Sequence, residues 1–391
     1  MRVYKVRIIE RMIRPEMVPD LIARMGGKDP VVKIHLMNLL AKFDKAEITH
    51  AFEMQLKDSN KMVRSAALNA LGTRGQHINV DKVANLLTDP DLDVQADAVP
   101  IDIEGGDVLF TTDGFTVQPL EFPGGDIGGL AVHGTTNDLA VAGAKPLYLT
   151  LNAFIEEGLE VEVLDRIVAS LAAAAREAGV QVKAGDTKVL RRGEGGGIYL
   201  ATTGVGVRLP GVKPSIHNIR DGDVALISGS VGDHGTAVML AREDFGLKGD
   251  VRSDAGPVME LTEALMPFDG LRFMRDPTRG GIASIANEIV RATGLGVRLE
   301  ATIPVKEPVQ AVCDMLGYDP YYLACEGRVF AVIDAEQADA ALAAWQRLPS
   351  GKDAARAGRI TSTDTRVILE TPLGGERFLE ELEDDPLPRI C

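Results

Sequence analysis

The sequence predicts a helical repeat module joined to an α/β region that divides into two domains, and three observations carry that prediction. From the start to about residue 95, apolar residues recur at three- and four-residue spacing with few glycines between them, the period of helices that bury one face. Near Val99 the texture changes, and glycine-rich, β-branched stretches begin to alternate with helix-period segments. A second change follows Leu209-Pro210-Gly211, where the strand-like GDVALISGS opens a new unit.

Within the first module three segments resemble one another: KDPVVKIHLMNLLAKF from Lys28, KDSNKMVRSAALNALG from Lys57 and TDPDLDVQADAV from Thr88. Val32, Val63 and Val94 recur in them at one constant spacing, which suits a helical hairpin. Asp-led turns and a small-residue stripe of Ala66, Ala67 and Ala70 make the units similar to HEAT-type repeats, although each is shorter than usual; an ordinary helical bundle fits the same pattern. Further along, DVLFTTDGFTV reads as a strand, EVLDRIVASLAAAAREAG as a helix, and the stretch from His234 to Glu243 as another helix. The acidic end carries Pro386 and Pro388, which cannot continue a helix and predict a mobile arm. The boundaries that follow are 1–95 for the HEAT-like module, 96–208 and 209–379 for the two domains, and 380–391 for the arm.

Bulk properties exclude several classes of function. A chain of 391 residues, 45% of them hydrophobic, can bury two or three cores. Its formal net charge of −15, with no concentrated basic patch, argues against a nucleic-acid partner. Neither a signal-peptide core nor a bilayer-length apolar run is present, so a cytoplasmic protein without membrane partners is expected. Cys313, Cys325 and Cys391 are too scattered for a disulfide framework or a closed zinc site, and the six histidines show no ligand spacing.

Between Thr111 and Gly281 carboxylates repeatedly stand beside glycines: TTDGF, FPGGDIG, TTNDLAVAGAKP, AGDTK, SVGDHG and RDPTRGG. Each alone is a common turn signature. Together they suit Mg²⁺, which takes hard oxygen ligands, and phosphates, which glycine lets the backbone N–H groups approach. No Walker A loop, Rossmann fingerprint or kinase signature occurs, so the residues by themselves point to a magnesium and phosphate site of unassigned architecture.

The order of TTDGFTVQPLEFPGGDIGGLAVHGTTNDLAVAGAKPLYLT, AGDTKVL, GSVGDHGTAVML, RDPTRGGIASIANEI and PRIC is more specific. It closely resembles the HypE family, the carbamoyl dehydratases of NiFe-hydrogenase maturation, in the aminoimidazole-ribonucleotide (AIR) synthetase-like superfamily, over roughly residues 96 to 391. The resemblance implies an AIR-synthase-like α/β domain that forms a homodimer through its sheet, then an AIR-synthase-like α+β domain, with ATP in the dimer-related cleft. It implies that Cys391 receives a carbamoyl group from a HypF-type carbamoyltransferase. The thiocarboxamide is then dehydrated with ATP to a thiocyanate, and the nitrile leaves for iron on a HypC–HypD complex. By the same resemblance Glu326 in ACEGR is the base and Lys188 in AGDTK the cation beside the reacting group. Asp113, Asp138 and Asp186 match the Mg²⁺–ATP carboxylates, with Asn137 and Thr187 beside them at the nucleotide.

Other candidates read more plainly. Asp126 and Asp233 suit helix or turn caps as well as nucleotide contacts, Asp276 and Arg279 suit a structural pair more than a guanidinium contact to phosphate, and Cys313 and Cys325 suit buried small hydrophobes. Cys325 stands where the family's NEG motif commonly has asparagine. The Gly-rich opening segment of the family is replaced by the helical module. Its Asp-Asp-Ala-Ala run survives at most as Ala96-Asp97-Ala98-Val99, so Asp97 is either a further metal ligand or part of the third repeat. Two alternatives stay open: a scaffold that presents Cys391 with weakened ATP turnover, and an ATP enzyme acting on a free small molecule.

Overall fold

A computed structural model describes residues 17–27, 29–41, 43, 45–58, 60, 63, 64, 66, 67, 70, 98–103, 106–211, 213–242, 250–371 and 373–382. The chain divides into two compact units, residues 1–96 and 97–391. The first contains helices α1 (Val18–Arg24), α2 (Pro30–Leu40) and α3 (Ala46–Gln55) around a core of Met25, Met37, Leu40, Ile48, Phe52, Val63 and Ala67. The alanine stripe faces that core, with Ala67 and Ala70 buried and Ala66 packed beside them. The aspartates organise the turns: Asp29 Oδ1 accepts the Val32 N–H, and Asp58 accepts the Asn60 N–H at 2.8 Å while pairing with Lys33. Val32 and Val63 are not equivalent, because Val32 is 46% exposed and Val63 is fully buried. Val94 lies outside the described residues.

The second unit is built on two sheets. In the first, strands β1 (Val99–Ile103), β2 (Gly106–Phe115), β5 (Ala144–Glu156), β6 (Gln181–Leu190) and β7 (Ile198–Arg208) run in the order β1-β2-β7-β5-β6. Only β5 and β6 pair in parallel, joined through the amphipathic helix α5 (Val161–Glu177). A short hairpin of β3 (Glu121–Phe122) and β4 (Gly125–Asp126) leads into helix α4 (Ile127–Val141). Asp126 caps this helix through the N–H groups of Gly128 (2.7 Å) and Gly129 (3.0 Å), the capping role its sequence allowed.

α4 has no polar stripe because it has no solvent face. One side lies on the first sheet and the other against the second domain, so apolar cores on both sides share its residues. Close approach depends on its glycines: a Cβ on Gly134 would stand 2.8 Å from the Phe115 ring.

The second sheet runs β14-β13-β10-β12-β8-β11-β9, from β8 (Val224–Ile227), β9 (Leu271–Arg275), β10 (Gly296–Leu299), β11 (Phe330–Ile333), β12 (Ala355–Thr361), β13 (Val367–Glu370) and β14 (Glu376–Phe378). Helices α6 (Asp233–Arg242), α7 (Met259–Leu265), α8 (Gly281–Thr293), α9 (Glu307–Leu316) and α10 (Ala338–Gln346) complete this α+β domain. After β14 the chain is pinned. The Leu379 carbonyl accepts from Asn287 Nδ2 (3.0 Å), the Glu380 carbonyl accepts from the Tyr322 hydroxyl (2.7 Å), and Glu381 pairs with Arg291 (2.6 Å). Description stops at Leu382, so the expected arm beyond it, Cys391 included, lies outside the described residues, as does Asp97. No helix among the described residues is long and apolar enough to cross a membrane.

Candidate active site

The segment Ala324–Arg328 runs between α6, the loop at 253–258 and the turn at 276–281, and its main chain is tied on every side. The Ala324 carbonyl accepts from Gly235 N–H (3.0 Å) and Cys325 N–H donates to the Pro277 carbonyl (2.9 Å). Glu326 and Gly327 N–H donate to the two oxygens of Asp254, at 3.4 and 3.2 Å. The Glu326 carbonyl accepts from Asn137 Nδ2 (3.2 Å). Arg328 lies under this segment, donating to the Ser230 carbonyl (3.0 Å) and facing Asp233 and Asp254 at 3.5 Å each. Held this way, the Glu326 side chain is 2% exposed, and among the described residues its Oε1 has no hydrogen-bond partner. Burial, then the neighbouring Asp276, Asp254 and Asp113, push its carboxyl well above the usual range, against the pull of Arg279.

Asp113 sits on the helix-facing side of β2, in one row with Thr202 and Leu151, and its Oδ2 would stand 3.6 Å from a Cβ on Gly134. Burial raises its carboxyl, opposed by the Gly114 N–H and by Arg279. One helical turn beyond Gly134, Asp138 accepts from Thr111 Oγ1 at 2.9 Å. Asp276, expected to be structural, belongs to this cluster instead: fully buried, it is pushed up to about 6 by burial, with Arg275 opposing and Asp113 adding to the rise. Arg279 acts on Asp113 and Glu326 together. Asp113, Glu326, Asp276 and Arg279 thus meet where the first sheet faces the second domain, with Asp138 one helical turn further along α4.

Asn137 is 1% exposed and its amide is occupied by main chain: it donates to the Gly256 and Glu326 carbonyls and accepts from Val258 N–H, all at 3.0–3.2 Å. Asp233 is fully buried beneath Ser230, Lys306 (2.9 Å) and Arg328. The SVGDHG loop before α6 resembles a phosphate cradle in sequence, yet the N–H groups of Gly232, His234 and Gly235 go to Cys325 Sγ, Asp254 and Ala324. Cys325 is buried, its thiol driven well up by burial first and then Asp254; Cys313 is buried as well and pushed up to about 12.

Asp186, Thr187 and Lys188 lie elsewhere. They are exposed on β6 at the sheet edge, where Asp186 pairs with Lys188 at 2.7 Å and accepts the Thr187 N–H at 2.9 Å. Register places Asp186 beside Asn152 and Lys188 beside Phe154, on the face turned away from α4. Asp113 is on the opposite face and three strands away, about 14 Å at ordinary strand spacing. Within one copy the expected magnesium carboxylates therefore do not converge, and among the described residues no three His, Cys, Asp or Glu gather closely enough to hold a metal ion.

Sequence reasoning missed Asp254 and Arg328. Asp254 stands in an unremarkable turn, 72 residues from the amide it holds. Arg328 was within sight, since it completes the Cys325-Glu326-Gly327-Arg328 motif.

Comparisons with known proteins bear on the family and the fold. Family models match residues 95–208 as an AIR synthase related N-terminal domain, 220–370 as the corresponding C-terminal domain, and 18–99 as HEAT repeats. The carbamoyl dehydratase HypE of Azotobacter vinelandii is 44% identical over 336 residues, covering 85% of this chain and 97% of that one. Among solved structures, a HypE–HypF complex is 42% identical, with TM-score 0.73 over 78% of this chain and 99% of that one. HypE in complex with ATP is 41% identical, with TM-score 0.70 over 79% and 97%.

Proposed function

The chain belongs to the HypE family of carbamoyl dehydratases, and on that premise we propose that it removes water, at the expense of ATP, from a carbamoyl group carried on Cys391. A primary amide loses water when its oxygen becomes a leaving group. Phosphoryl transfer to that oxygen, deprotonation of the nitrogen and loss of phosphate convert the thiocarboxamide to a thiocyanate. Glu326 is the base. The observation that carries this role is its buried Oε1, left without a partner among the described residues in a segment whose main chain is held at Ala324, Cys325, Glu326 and Gly327.

Asp186 and Lys188 join the site from a second copy. Supporting this, Phe110, Tyr148 and Val207 are exposed on the face of the first sheet that bears Asp186 and Lys188, and β6 is an edge strand among the described strands. Lys188 of that copy would bring a cation toward the reacting oxygen. Among the described residues Arg279 is the one positive charge acting on Asp113, so Asp113 suits a cation, and Asp113 and Asp138 with the second copy's Asp186 would hold Mg²⁺. The metal supplies charge neutralisation on the triphosphate. A HypF-type transferase is the proposed carbamoyl donor, in keeping with the complex formed by a relative, and a HypC–HypD pair the nitrile acceptor.

Intact mass after incubation with carbamoyl phosphate and a HypF-type transferase, with and without ATP, tests the proposal. Wild type should gain one carbamoyl group and then, with added ATP, lose one water. Cys391→Ala should gain nothing, and Glu326→Gln should keep the carbamoyl without losing water. Water loss at the wild-type rate in Glu326→Gln would refute the base assignment.

A further inference from the structure

The peptide group of Glu326 is gripped from two domains. From the second, Asp254 takes its N–H and that of Gly327; from the first, Asn137 on α4 donates to its carbonyl. A side-chain amide has two N–H donors. Those of Asn137 go to the Glu326 carbonyl at 3.2 Å and the Gly256 carbonyl at 3.0 Å, and its oxygen takes the Val258 N–H at 3.0 Å. With both hydrogens held by main chain in a side chain 1% exposed, no donor is left for a phosphate or a base.

We infer that Asn137 is a positioning residue that fixes the carboxyl of Glu326 across the domain junction, and not a nucleotide ligand. The inference rests on the reading of Glu326 as the base. Asn137 is the neighbour of Asp138 in sequence, but the two side chains leave the helix about 100° apart. Asp138 is bonded to Thr111 on the sheet, while Asn137 reaches the second domain. Removing the amide takes the Asn137 donor from the Gly256 carbonyl, leaves the Glu326 carbonyl with only the longer 3.4 Å bond from Gly256 N–H, and lets the 256–258 loop part from α4, which moves the base relative to the reacting nitrogen. A displacement near 1 Å costs about 100-fold in rate.

The test uses full-length protein with its thiol already carbamoylated. Wild type, Asn137→Ala, Asn137→Asp and Glu326→Gln are compared by Mg²⁺–ATP titration and by single-turnover water loss at saturating ATP across pH. Asn137→Asp keeps the size and the acceptor for Val258 but cannot donate. Should the alanine variant fail to fold, it carries the comparison. Expected for both Asn137 variants is ATP affinity within about twofold of wild type, a rate lowered about 100-fold, and a displaced acid limb of the pH profile. Weakened ATP binding with the full rate restored at saturation would overturn the inference and make Asn137 a nucleotide ligand. Wild-type rate in Glu326→Gln would remove the base itself, a separate failure visible in a separate variant.

Discussion

At Asp276 a carboxyl is held in the protein interior at a cost that depends on pH. Its folded value of about 6 is raised from 3.8, so the folded state keeps a proton that the unfolded state has lost. The sign follows: stability falls as pH rises from about 4 to about 6, and above that the full penalty of about 3 kcal/mol remains. Asp276→Asn should therefore gain stability near neutral pH and show a flatter dependence on pH. Urea denaturation at pH 5 and pH 8 measures both, and a variant no more stable than wild type at pH 8 would contradict the burial account. The resemblance singled out Glu326 because its motif is contiguous, whereas Asp276 was read as structural because its acidic neighbours come from other segments. A buried carboxylate that pairs with a local arginine and one facing Asp113 give the same local string, RDPTRGG.

At the level of elements, α4 decides where the site lies. Its sequence, IGGLAVHGTTNDLAV, has no hydrophobic stripe from which a facing side could be inferred, because both faces are covered. The candidate residues on it were legible, but the division of labour between Asn137 and Asp138 was not, since that depends on two different neighbours. Gly134 allows the helix to lie on Phe115, and Gly134→Ala places a methyl group 2.8 Å from the ring. Overpacking of this kind costs about 1–3 kcal/mol, and because Asp113 is the next atom group along, catalysis should fall with stability. Thermal unfolding with activity at a temperature well below the transition separates the two effects. The edge strand β6 shows the opposite limit: AGDTK was easy to find, but its position three strands from Asp113 follows from strand order, which no local pattern encodes.

For the whole molecule, the division of the proposed site between two copies has a direct consequence. If Lys188 of one copy serves Glu326 of the other, mixing Lys188→Ala with Glu326→Gln creates mixed dimers in which one of the two sites has both groups. In a randomly assorted two-fold dimer about a quarter of all sites should be intact. Each variant alone should be inactive toward water loss, and the mixture should recover after subunit exchange; no recovery, with exchange confirmed by native mass spectrometry, would place both groups in one copy. The HEAT-like unit is a separate compact unit of the chain. Its repeat character was visible in the sequence, while the unequal burial of Val32 and Val63 was not, because a repeated valine marks a helix position without stating what lies opposite it.

The contacts that root residues 379–381 on α8 and Tyr322 also act as the post of a tether. Cys391 lies nine residues beyond Leu382, a span of at most about 32 Å. If Cys391 carries the group as proposed, whatever loads the sulfur, and whatever unloads it, has to come within that radius of one corner of the second domain.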